Sequence, residues 1–261
     1  MTPIDINEAH KILLDIAKAF VKVCESNHIP YYMLGGTMLG AIRHQGFIPW
    51  DDDMDFGVPR KHYEKLITSL ERELPYPYRC CSYHNGLTNS VIFKIDDSRT
   101  IIKDIHISEK RSIIIGLNID IFALDYCAPY DKVLKKLKWL IYINRAKYAA
   151  NPRWSKLRII LNKIIDLLFP WSNNEINERM ERMLTDLKPA PYLSNVFGAW
   201  GIKECIPVEW YGEGKKYVFE DTEFCGLKEY DKYLHQLYGE YMTPPKHDMH
   251  IHLDGVFWKD K

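Results

Sequence analysis

The stretch YYMLGGTMLGAIRHQGFIPWDDDMDFGVPR, residues 31–60, decides how the chain is read. Asp51, Asp52, Asp53 and Asp55 crowd into five positions, with Met54 between them and Phe56 and Val58 after them. Carboxylates this dense in an apolar setting repel one another and resist burial. A bound divalent cation is the usual offset. Locally, residues 30–34 predict a short buried strand that ends at Gly35-Gly36. Thr37 is then expected to cap a helix running to about His44. Asp53–Val58 predicts a second strand. Alternation along that strand sends Asp53 and Asp55 to one face, about 6–7 Å apart. An acid-apolar-acid strand of this kind suits Mg²⁺ or Mn²⁺, which take oxygen ligands and leave room for water and phosphate. The EF-hand alternative fails, because counting from Asp51 there is no glycine at its sixth position and no glutamate at its twelfth.

The glycine turn supplies the other half of a phosphate site. Gly35 and Gly36 let backbone approach an anion, and the helix after them aims free N–H groups at it. Thr37 adds a hydroxyl, and Arg43 and His44 add positive charge one to two turns on. A Gly pair before a helix is also a common turn, and an acidic run is commonly a solvated loop. The combination is what favours chemistry: strand, Gly-Gly, helix, acidic strand.

Outward from this stretch, residues 5–27 predict a helix from the spacing of Ile12, Leu13, Ile16, Phe20 and Val23. A second helix is expected from about Arg60 to Glu73. Residues 76–125 read as β-rich, and the apolar run SIIIGLNIDIFALD is expected to be a central strand carrying Asp120, a third carboxylate. Residues 132–163 hold ten Lys and Arg and no Asp or Glu, interleaved with Trp, Tyr, Ile and Leu. They predict two helices broken near Asn151-Pro152. Such a segment fits an anionic membrane surface, a phosphate-rich acceptor, or a helical lid with a solvated basic face. A more acidic helix is expected from about Asn174 to Leu187. Val196–Trp200 and Lys216–Phe219 are short strand candidates, and Glu229–Gly239 is a helix candidate. His247, His250 and His252 match no zinc spacing and are expected to be solvated or to face an acceptor.

The 261-residue chain has 35 basic and 35 acidic residues, so its net charge points to no nucleic-acid partner. The N-terminus does not read as a secretory signal, and no run reaches the roughly 18–20 apolar residues of a spanning helix. The six cysteines form no C-x-x-C pair and are expected to be reduced thiols. The expected location is cytoplasmic, with docking on the inner face of the cytoplasmic membrane as the option raised by 132–163.

LGGTMLGAIRHQGFIPWDDDMDFGVPR resembles the opening motif of the LicD family within the nucleotidyltransferase superfamily, and distantly that of fukutin and its relatives. IFKIDDSRTII, GLNIDIFALD and FEDTEFCGLKEYDKYLHQLYGEYMTPP resemble later blocks of the same family. The resemblance implies an α+β fold: a nucleotidyltransferase-like mixed β-sheet flanked by helices, with a basic helical insertion and a C-terminal α/β extension. The implied divisions are 1–130 for the catalytic core, 131–190 for the helical segment, and 191–261 for an extension completing the same domain.

The resemblance also implies transfer of a phospho-alcohol from a CDP-alcohol donor to a hydroxyl of a surface glycan or its lipid-linked precursor. Asp53 and Asp55 match the metal pair, and Asp120 the third acid, as ligand or base. Gly35, Gly36 and Thr37 match the phosphate-side turn. Lys94 is expected to neutralise diphosphate, and Asp125 to orient neighbours. Asp51 and Asp52 are expected to support the metal pair. One departure stands out: Cys225-Gly226 occupies a place where the family pattern expects an apolar-Pro pair. Nucleotidyl transfer to a protein or small molecule, and a non-catalytic membrane or glycan adaptor, are the competing readings.

Overall fold

The computed structural model describes residues 1–102, 115–148, 156–244 and 255–259. Strand β1 (Thr2–Pro3) leads into helix α1 (Ile6–Ser26), whose N-cap Asp5 accepts a hydrogen bond from the Glu8 N–H at 2.9 Å. Next come β2 (Tyr32–Met33), α2 (Gly35–His44), β3 (Asp55–Pro59) and α3 (Arg60–Glu73). The β-rich section gives β4 (Tyr78–Cys81), β5 (Phe93–Asp97), β6 (Thr100–Ile102) and β7 (Asn118–Leu124). Helices α4 (Lys132–Tyr148), α5 (Lys156–Leu168) and α6 (Asn173–Thr185) follow. The last section holds β8 (Tyr192–Ser194), a 3₁₀ turn at Gly201–Glu204, β9 (Cys205–Pro207) and α7 (Val208–Tyr211). It continues with β10 (Lys215–Phe219), β11 (Thr222–Gly226), α8 (Tyr230–Tyr238) and β12 (Val256–Trp258).

This is a mixed α+β fold. Its central sheet has the order β2-β3-β7-β5-β4, with β3 and β7 parallel and the other neighbours antiparallel. β7 is central because its apolar run is buried on both faces: Ile119, Ile121 and Leu124 are inaccessible to solvent. Helices α1 and α3 pack on one face of the sheet and on each other. On β3, Phe56 turns toward that layer and meets Phe20 of α1 at 5.1 Å between ring centroids. Alternation therefore turns Asp55 to the other face. There helix α8 packs on α2, while the hairpin β10-β11 lies along the edge strand β2 and touches both α2 and α1. A small sheet of order β1-β12-β6 joins the two ends of the described chain.

Helices α4, α5 and α6 gather a second apolar cluster around Leu137, Leu140, Ile143, Ile176 and Met180. Helix α6 starts in a capping box between Ser172 and Glu175. Lys147, counted among the basic residues of this segment, is buried and donates to the Phe169 and Trp171 carbonyls at 2.6 Å each. Its charge ties α4 to the chain after α5 and is not part of the basic surface.

Three expectations need correction. The strand expected from Asp53 begins at Asp55, so Asp53 lies in the irregular loop before it. Thr37 does not cap α2, which starts at Gly35 without a side-chain cap. Its hydroxyl accepts the Asp55 N–H at 2.8 Å. Val196–Trp200 is a turn, not a strand; the strand there is β8, and the turn wraps the buried Glu204 side chain. His247, His250 and His252, the expected break at Asn151-Pro152 and much of the segment before β7 lie outside the described residues.

Candidate active site

A cleft of about 780 Å³ opens where β3 and β7 face α2, α8 and the turn at 195–200. Asp51, Asp53, Asp55 and Asp120 all line it. The parallel register sets Asp55 directly opposite Asp120. The acidic loop is pinned from behind, because the His10 Nε2–H of α1 donates to the Asp51 carbonyl at 2.7 Å. Crowding shows in the acidities. Burial, then Asp53, Asp120 and Asp51, push the Asp55 carboxyl well above the carboxylate range, with Lys94 opposing. Burial, then Asp53 and Asp52, push Asp51 up to about 7, with Arg43 opposing. Asp51, read from the sequence as a supporting residue, thus stands inside the cluster.

The two glycines are explained by these acids. A Cβ on Gly36 would lie 2.6 Å from Asp51 Oδ2, closer than side chains tolerate. A Cβ on Gly35 would lie 3.3 Å from Asp55 Oδ2, and its φ of +47° is left-handed. The Gly35 N–H donates to Tyr233 Oη at 3.0 Å. The glycine turn makes room for two carboxylates at the start of α2.

The basic residues expected at the site are placed differently. Lys94 faces Asp120 across the β5-β7 register and bonds its carboxylate, with a second bond to Asn118 Oδ1 at 3.1 Å. In this structure its ammonium is engaged with Asp120. Arg43 donates to the His44 ring and to the Tyr241 carbonyl, both at 2.9 Å, and lines the cleft on the α2 side. Asp125 is buried behind the site and takes a bidentate pair from Arg60 at 2.7 and 3.0 Å. It exchanges backbone bonds with Ser194 at 2.9 and 2.8 Å, fixing β8 to the end of β7.

The sequence did not single out the far wall. Glu204 is buried there, accepts the Trp200 N–H at 2.9 Å, and is pushed up to about 7 by burial. Hydrogen bonds from the Trp200 backbone and the Asn195 side chain oppose that rise. Asn195 Oδ1 is buried without a hydrogen-bond partner. A Cβ on Gly198 would overlap the Glu204 carboxylate, so this turn needs glycine. Trp200 meets Tyr238 edge-on at 4.9 Å, and the Tyr238 hydroxyl lies 3.8 Å from the Gly35 Cβ position. These residues carry no local motif; only a glycine-containing aromatic turn, FGAWG at 197–201, was there to be noticed.

Gly226, at the departure from the family pattern, also has a packing reason. A Cβ there would lie 2.5 Å from Met38 Sδ of α2. The hairpin uses this gap to press on α2, and Glu220 at its tip accepts the Phe47 N–H at 3.0 Å.

The parallel β3-β7 pair thus sets two acids in register beside a glycine turn, and both acids and both glycines line one cleft. Residues 28–107 match the nucleotidyltransferase domain of the LicD/FKTN/FKRP family. The chain is 29% identical to the lipopolysaccharide cholinephosphotransferase LicD of Haemophilus influenzae, over 97% of each chain. It is also 42% identical to the human ribitol 5-phosphate transferase FKRP over 48 residues, which is 18% of this chain and 10% of that protein.

Proposed function

We propose that this protein transfers a phospho-alcohol, phosphocholine first among them, from a CDP-linked donor to a hydroxyl of a surface glycan or its lipid-linked precursor. End-to-end similarity to a cholinephosphotransferase carries this reading, and the FKRP similarity supports the wider class of phospho-alcohol transfer to glycans.

Asp51, Asp53, Asp55, Asp120, Glu204 and Glu240 line the cleft against Arg43 and Arg145, with Lys94 bonded to Asp120, so acids outnumber bases there and a diphosphate donor would add more negative charge. The donor set is all oxygen, and the crowding that raises Asp55 and Asp51 is what a divalent cation relieves. Mg²⁺ or Mn²⁺ therefore fits these residues. Among the described residues no three such side chains already stand as a closed ligand set. Asp53 and Asp55 would hold the ion, with donor oxygens completing its shell. When bound, it supplies charge neutralisation at the diphosphate.

The chain's own residues do the rest. Arg43 gives the α2 wall a fixed positive charge for a donor phosphate. Asp120, which bonds Lys94, would accept the proton of the attacking hydroxyl. The glycan oxygen bonds to the distal phosphorus, the bond from that phosphorus to the CMP oxygen breaks, and CMP leaves with the electron pair. Positioning and electrostatics dominate such a step. Trp200 and Tyr238 offer an aromatic corner for a quaternary ammonium. Lys203 Nζ already stands 5.4 Å from the Trp200 ring centroid.

The test incubates the purified protein with CDP-choline, Mg²⁺ and a lipopolysaccharide or teichoic acid acceptor. The expected result is metal-dependent CMP release and an acceptor heavier by phosphocholine. An acceptor heavier by nucleoside monophosphate would replace this reading with nucleotidyl transfer. Absence of both products, and of any metal-dependent shift in melting temperature with CDP-alcohols, would leave an adaptor.

A further inference from the structure

Helix α5 carries a broad apolar arc, yet it is not a core helix. Only Asn162 and Ile165 of its last ten residues are buried. At 3.6 residues per turn, Ile160, Leu161, Ile164, Leu167 and Leu168 fall within about 120° of one another. All five are exposed, Leu167 at 81%. A helix that is apolar outside its buried face is packed away or meets a lipid phase. On α4, Trp139 and Tyr142 are exposed beside this face, and the Trp139 ring meets Phe169, just past the end of α5, edge-on at 4.9 Å. Lys132, Lys135, Lys136 and Lys138 are exposed on the same helix, and Lys163 on α5. Acids are few here: Asp166 lies on the polar flank of α5, and Glu175, Glu178 and Glu181 belong to α6. Among the described residues no helix is long and apolar enough to cross a membrane.

We infer that the exposed face of α5, with Trp139, Tyr142 and the lysines of α4, is a docking surface for an anionic membrane, which α5 enters lying in the headgroup plane. The charge argues for lipid over a second copy: a like-charged basic face does not favour its own duplicate, whereas anionic headgroups attract each exposed lysine. The apolar arc supplies shallow insertion, and the exposed Trp and Tyr suit the interface. Docking would also orient the enzyme, because α4 sends Arg145 to the wall of the catalytic cleft. This inference goes beyond the phosphotransfer reading and does not depend on it.

The test is co-sedimentation of the full chain with vesicles of phosphatidylglycerol and phosphatidylcholine, against phosphatidylcholine alone, at low and high salt. Binding is expected only with the anionic vesicles, weakening as salt rises. Ile160→Glu with Leu167→Glu should cut the bound fraction at least tenfold while the melting temperature is kept. Lys135→Glu with Lys136→Glu should do the same, and decides the matter if the first variant fails to fold. Wild-type protein that ignores anionic vesicles, or charge variants that bind as wild type does, would overturn the inference. So would a wild-type dimer in sedimentation velocity that the Ile160→Glu, Leu167→Glu variant dissolves while vesicles stay unbound.

Discussion

Asp55 and Asp120 face each other in register across the parallel strands β3 and β7, although 65 positions separate them in the chain. Two acids so placed are costly to the fold, and burial, then Asp53, then Asp120 raise the pKa of Asp55. Asp55→Asn should therefore separate stability from activity. In metal-free buffer near neutral pH the variant should melt higher, by roughly 2–4 °C for each kcal/mol of repulsion relieved. Turnover should fall on the order of 10²-fold or more, as when a group that steers charge in a transition state is lost. A variant that melts higher and keeps its turnover would remove Asp55 from the chemistry.

The glycine turn makes a second, separable prediction. Gly36→Ala drives a methyl group to 2.6 Å from Asp51 Oδ2. The carboxylate must move, so activity should drop severalfold with little loss of stability. Gly35→Ala adds left-handed strain of about 1–2 kcal/mol, and should lower the melting temperature as well. Equal behaviour of the two variants in melting and turnover would contradict the distinct roles given to these glycines.

Much of this arrangement was legible in residues 31–60, because its signals are local. The Gly pair, the carboxylate run and the alternation into Phe56 are read from neighbours, and the apolar context of Asp120 marked it as a strand residue. The limits were also local. Strand parity does not reach Asp53, because β3 begins only at Asp55, and Pro49 and Trp50 obscure where the loop before it turns. The opposite wall was not legible. Glu204, Asn195 and Trp200 meet the acids only through the packing of α8 and the turn at 195–200, and nothing in their local sequence marks them. Lys94 was found, but its pairing with Asp120 depends on the β5-β7 register.

Behind the cleft, Arg60 and Asp125 form a buried bidentate pair, with Glu181 of α6 4.0 Å from Arg60. Arg60→Ala would leave a buried carboxylate without its main partner. Burial already raises the Asp125 carboxyl, and Arg60 is what opposes that rise. The expected loss is about 3 kcal/mol or more in urea unfolding. Asp125→Asn should cost less, since its amide oxygen still accepts from the guanidinium. The reverse order would contradict this account.

Glu204 gives the chain a pH signature away from the acid cluster. Its pKa of about 7 in the folded protein lies above its ordinary value of 4.5. The folded chain therefore holds this proton where the unfolded chain has lost it. The sign follows: stability falls as pH rises from about 4.5 to about 7 and is flat in this respect above that. Glu204→Gln keeps an acceptor for the Trp200 N–H and gains a donor for the orphaned Asn195 oxygen. The variant should melt close to wild type at pH 4.5 and above it at pH 8, the gap opening between these values. A gap that does not change with pH would show that Glu204 is not a proton-holding group.

Trp200 tests which alcohol the cleft selects. Its ring borders Tyr238, whose hydroxyl lies beside the Gly35-Gly36 turn, so a donor's distal end near the acids would reach this corner. A quaternary ammonium over an aromatic face gains about 0.5–2 kcal/mol, and a neutral polyol gains no such attraction. Trp200→Ala should therefore raise KM for CDP-choline by roughly 2- to 30-fold, and leave KM for CDP-ribitol or CDP-glycerol nearly unchanged. Trp200→Phe, which keeps a smaller ring, should fall between. A loss shared equally by all three donors would mean that Trp200 shapes the cleft without reading the alcohol. The cation preference would then have to come from the other aromatic residues that line the cleft, Trp50, Phe122, Phe197, Tyr238 and Tyr241.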